Sequence, residues 1–137
     1  MKKILLVAVL AILASCETIT KKNNDTEDVK FAEELATKFY RELMNGDTLK
    51  IHNYIDKSIP KEEFQNLVNK NYSQYGKILK ADVKTTNTFS MTKNESNESE
   101  YKIEMEVTYE KFKTLEYLLF TKNNKSEVYL QKYLVQN

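Results

Sequence analysis

The chain holds one cysteine, Cys16, and one histidine, His52, so thiol, imidazole and metal chemistry are narrow options from the start. One thiol closes no intramolecular disulfide, and one Cys with one His cannot assemble a Cys/His zinc site. Glu95, Glu98 and Glu100 crowd one segment, but a calcium loop needs alternating acids around a central glycine, which is missing there. With only 2 glycines in 137 residues there is no glycine-rich phosphate cradle. Lys plus Arg number 21 and Asp plus Glu 20, a balance that argues against a nucleic-acid partner. All the basic residues except Arg41 are lysines, solvated point charges rather than the planar forks that grip phosphate. These residues imply no metal and no cofactor.

Cys16 stands in a more telling context. Lys2 and Lys3 precede an uninterrupted apolar run over residues 4–13, then come Ala14, Ser15 and the cysteine. Ten apolar residues are too few to span a bilayer core of ~30 Å, but they suit the hydrophobic region of a signal peptide. Leu13-Ala14-Ser15-Cys16 resembles the bacterial lipobox. The resemblance implies cleavage just before Cys16 and addition of a diacylglyceryl thioether to its sulfur. Two acyl chains hold a protein on a membrane far more durably than one, which binds at only ~10⁴ M⁻¹. The expected organisation is a signal peptide at 1–15, a lipidated Cys16 with a flexible tether at 16–27, and one α+β domain at 28–137. The expected location is extracytoplasmic, lipid-anchored to a bacterial membrane (outer membrane or periplasmic face if Gram-negative).

The residues that must build the domain follow two periods. Ala32, Leu35, Ala36, Phe39, Tyr40 and Leu43 repeat at helical spacing, with Asp25, Glu27 and Asp28 at the positive end of the dipole and Gly46 past the end. Asp47 is placed to cap a short second helix through Leu49, Ile51, His52 and Ile55. Pro60 opens a third, with Phe64, Leu67, Val68, Tyr72 and Tyr75 on one face and Gly76 closing it. Beyond Gly76 the period becomes two. Leu79 to Thr85, Tyr101 to Tyr109, Thr114 to Phe120 and Val128 to Val135 read as strands joined by short polar connectors at 93–100, 111–113 and 122–126. Short connectors imply antiparallel neighbours. The expectation is an α+β domain with three N-terminal helices packed on one face of a curved four-stranded antiparallel sheet.

Three helices followed by a meander, with a "FAEELATKFYRELMNGD" helix and "YGKI" leading into the first strand, resemble the cystatin-like and nuclear-transport-factor-like superfamily. The similarity spans roughly residues 28–135 and implies a cone-shaped fold. Enzymes of that superfamily place Asp, His or Tyr between helices and sheet. Here the resemblance points to His52, Tyr54, Asp56, Tyr101 and Tyr109 as the material for such a pocket. An Asp–Tyr pair could do acid/base work, burial raising the carboxyl pKa and the phenol steadying an oxyanion. His52 and Tyr54, two apart, fall on different helical faces, which weakens a catalytic reading.

Of the nine tyrosines, five fall in the expected strands, at 101, 109, 117, 129 and 133. Strand 114–120 is apolar on both sides. With Leu115, Tyr117 and Leu119 turned to the helices, Leu118 and Phe120 would point outward, joined by Tyr129 and Tyr133 as a contact surface. The leading expectation is therefore a non-catalytic, membrane-anchored envelope lipoprotein that binds a protein, a peptide or a small apolar ligand, or pairs with itself through the sheet. The alternatives are a small-molecule enzyme with its site in the cone and an inhibitor or immunity-type lipoprotein.

Overall fold

Asp25 starts the first helix, its carboxylate accepting the Glu27 amide at 3.1 Å. In the computed structural model, which describes residues 18–136, this helix is α1 (Thr26–Met44), stopped by Asn45 and by Gly46 at a φ of 73°. Asp47 precedes α2 (Thr48–His52), but its carboxylate takes the Lys50 ammonium at 2.8 Å and leaves the helix amides uncapped. Pro60 precedes α3 (Lys61–Tyr75). Gly76 ends it at a φ of 85°, where an added Cβ would lie 2.5 Å from the Glu110 carboxylate. No other residue fits that turn.

Five strands follow the order β1-β2-β3-β4-β5, each antiparallel to its neighbour: β1 (Ile19–Asn23), β2 (Ile78–Lys93), β3 (Ser96–Tyr109), β4 (Lys113–Lys122) and β5 (Val128–Gln136). The expectation of four strands fails at the N-terminus, where residues expected in the tether form β1 against Phe89–Lys93 of β2. All five β1 residues are exposed, so no burial pattern could betray the strand. Its cause is backbone pairing along the edge of β2, and Lys21 and Lys22 keep the new edge charged. The polar connector expected at 93–100 is likewise mostly strand. Asn94 and Glu95, both at positive φ (46° and 68°), make a two-residue turn, and Lys93 pairs directly with Ser96.

Core side chains come from all three helices, from Ile78 of β2 and from the inward faces of β3, β4 and β5. Phe39 of α1 lies at their centre, its ring edge-on to Tyr40, Phe64 and Tyr133. Tyr101, Ile103, Met105, Val107 and Tyr109 all point inward, as the alternation of β3 requires. On β4 the expected facing is reversed. Leu118 and Phe120 are 2% and 0% exposed and belong to the core, while Leu115, Tyr117 and Leu119 turn outward. On β5 the shared parity of Tyr129 and Tyr133 is broken by an irregularity, since Leu119 pairs with Lys132 and Phe120 with Leu130. Tyr133 is thus buried at 8% and Tyr129, opposite Thr121, faces out. Three of the four residues expected to form an exposed surface are core.

Candidate functional site

The five residues expected to line a pocket do not converge: four make hydrogen bonds to different partners, and His52 is held by ring packing. His52, at the end of α2, packs its ring edge-on to Phe64 at 6.0 Å, and its buried Nε2 meets no partner among the described residues. Tyr54 donates its hydroxyl to Glu42 at 2.6 Å, with the Lys38 ammonium 5.0 Å over its ring. Asp56 accepts the Ser58 amide at 2.8 Å and the Gln131 amide at 3.0 Å. The Ser58 hydrogen bond holds its carboxyl below the ordinary carboxylate range. Tyr101 reaches Asp28 at 3.4 Å, and Tyr109 reaches Glu116 at 2.7 Å. Nothing here makes a nucleophile–base or acid–base pair around one shared space.

Asp56 has a structural task instead. Its amide donates to the Leu130 carbonyl and the Leu130 amide donates to the Tyr54 carbonyl, so Tyr54–Asp56 covers the start of β5 through a parallel bridge at Ile55. The sheet edge is closed there.

Glu116 is the group that reading the sequence missed. The reversed facing of β4 places it inward, fully buried, opposite Met105. Four hydroxyls donate to its carboxylate: Tyr109 at 2.7 Å and Thr114 at 2.9 Å on Oε1, Tyr40 at 2.7 Å and Tyr133 at 2.6 Å on Oε2. Their donors span α1, β3, β4 and β5, so one side chain ties helix to sheet. Burial, followed by the charge of Glu116, pushes the Tyr40 and Tyr109 hydroxyls well above the usual phenol range. Burial does the same to Tyr133. All three remain neutral donors. The arrangement holds the fold together and offers no open space to a substrate.

The open surface lies on the other side of the sheet, where no helix packs. Leu115, Tyr117 and Leu119 of β4 stand there beside Leu134 of β5, which is 42% exposed. Tyr117, Leu119 and Leu134 border an open groove of ≈ 450 Å³, with Lys102 and Glu104 of β3 on one flank and Lys132 of β5 on the other. An apolar stripe rimmed by charge fits a contact surface better than a catalytic cleft, which needs convergent titratable groups. Of the residues expected on this face only Tyr129 is there; the others exchanged places with their sequence neighbours.

Comparison with protein-family models, with curated proteins and with solved structures returned no match. Among the described residues no group of three or more His, Cys, Asp or Glu is placed to hold a metal, and no helix is long and apolar enough to cross a membrane. The lipobox and Cys16 lie outside the described residues.

Proposed function

We propose that this protein is a non-catalytic, lipid-anchored lipoprotein of the bacterial envelope, whose outer sheet face pairs with a second copy of the chain. The Leu13-Ala14-Ser15-Cys16 box supports the anchor. The uncovered stripe of Leu115, Tyr117, Leu119 and Leu134 supports the pairing, and it is the observation that carries the reading. The dispersal of His52, Tyr54, Asp56, Tyr101 and Tyr109 weighs against the enzyme alternative. Three helices followed by a meander remain compatible with the cystatin-like and nuclear-transport-factor-like resemblance.

A like partner offers the same apolar stripe. Across the outer face, Lys102, Glu104 and Glu106 of β3 flank the stripe on one side and Lys132 of β5 on the other. A two-fold axis parallel to β4 lays β3 of one copy over β5 of its partner and sets each apolar stripe on the other. A stable pair needs about 800 Å² per protomer, which the stripe centres and the flanking strands complete.

Two measurements test the reading. Metabolic palmitate labelling should mark the wild-type chain and not Cys16→Ser, and an unlabelled wild type would remove the anchor. The domain should sediment as a dimer in analytical ultracentrifugation. Leu119→Glu, set between Lys102 and Lys132, combined with Leu134→Lys should make it monomeric with its thermal unfolding nearly unchanged, since both positions are on the outward face. A wild type that sediments as a monomer would sink the pairing.

A further inference from the structure

The strand found in place of a tether changes how an anchored domain can sit. With residues 16–27 flexible, the eleven residues after Cys16 would reach up to ~40 Å and let the domain hang at any angle. Instead β1 begins at Ile19, three Cα steps from Cys16, a reach of at most ~11 Å. From its first residue the strand is pinned. Ile19 pairs with Lys93 and Asn23 with Phe89, and Asn24 then exchanges two hydrogen bonds with the Thr88 backbone, at 3.0 and 2.8 Å. Asp25 caps α1 immediately afterwards, so no loose joint separates the strand from the body of the domain.

The partner of Ile19 lies beside the tip of the β2–β3 hairpin, since Lys93 is the last residue before the Asn94–Glu95 turn. We propose that this tip, together with the start of β1, is the membrane-facing end of the domain and rests against the lipid headgroups. The proposal rests on lipidation of Cys16. Its chemistry suits a headgroup layer and not the hydrocarbon: Thr92 to Glu98 read TKNESNE, charged or polar throughout, and Ile19 is the one exposed apolar side chain of β1. The β3–β4 turn at Glu110–Phe112 lies at the opposite end of β2, whose sixteen residues extend ~50 Å. Strands that rise from the tip carry the outer face clear of the bilayer, where a second anchored copy can meet it side by side.

The chain contains no tryptophan, so single reporters are unambiguous. Thr92→Trp marks the tip and Lys111→Trp the far turn, both at exposed positions. Each full-length lipidated variant is placed in phosphatidylethanolamine–phosphatidylglycerol vesicles that carry a headgroup-nitroxide lipid. The tip reporter should lose most of its emission and the far reporter should keep most of it. A flexible Gly-Ser spacer of roughly ten residues inserted after Glu17, with a reach of about 17 Å, should abolish that difference. Equal quenching of the two reporters, or a difference that survives the spacer, overturns the membrane-facing tip and leaves the anchor intact. A full-length chain that takes up no palmitate overturns the anchor itself, and the tip with it.

Discussion

Glu116→Ala should cost about 5 kcal/mol and leave little folded protein at ambient temperature, as typical domains are stable by only ~5–15 kcal/mol. The substitution strands four hydroxyls at once. Tyr40, Tyr109 and Tyr133 are buried and donate only to this carboxylate, as does Thr114. A buried donor without an acceptor costs ~1–3 kcal/mol, and the missing side chain leaves a cavity between helix and sheet. Glu116→Gln keeps the shape and one strong acceptor, so it should lose about 1–3 kcal/mol, less than Ala. Urea melts of the three proteins give the ranking directly. A loss below ~1 kcal/mol for Ala would mean that the hydroxyls find other partners and the carboxylate is not what joins α1 to the sheet.

The same tyrosines set the alkaline limit of the fold. In the unfolded chain a phenol releases its proton near pH 10. In the folded protein Tyr40, Tyr109 and Tyr133 are held well above that value by burial, with the charge of Glu116 adding to the effect. Their folded pKa is raised, so the stability they contribute is complete below pH ~10 and is lost as pH climbs from there toward the folded values. Each such phenol removes about 1.4 kcal/mol per pH unit, and the three together about 4. The urea midpoint should stay level on this account up to pH ~10, then fall steeply, with cooperative unfolding before pH ~12. Outward-facing Tyr117 and Tyr129 ionise first; the near-ultraviolet phenolate signal of the buried tyrosines should then rise in the same step as helical circular dichroism is lost. Gradual formation of all nine phenolates in a protein that stays folded would show that these hydroxyls are open to solvent.

Much of this fold was legible in local pattern. The periods of α1 and α3, their boundaries near Asp25 and Gly76, the change to period two, and the inward face of β3 all depend on neighbours within a few residues. Gly46 and Gly76 both take the positive φ that their positions past helix ends suggest. Fold class followed from the order of those elements.

Strand facing did not. Ending β3 at Glu110 and starting β4 at Thr114 pairs Val107 with Tyr117 and turns Leu115, Tyr117 and Leu119 inward. The structure tightens that turn, with the Tyr109 amide donating to the Phe112 carbonyl, and pairs Val107 with Thr114 instead. The register moves by three residues, an odd number, and every side chain of β4 changes face. Leu118 and Phe120 enter the core and Glu116 goes with them, since alternation carries a carboxylate inward as readily as a leucine. Only the tyrosines waiting on α1, β3 and β5 make that tolerable, and they are 76, 7 and 17 residues away in the chain. β1 was hidden for a related reason: Ile-Thr-Lys-Lys-Asn buries nothing, and what makes it a strand is the unpaired backbone of β2 some seventy residues later. Composition and periodicity determine what a segment can become, because they report burial of its own side chains. Register and edge pairing are settled by backbone groups and turns that meet only when the chain is folded.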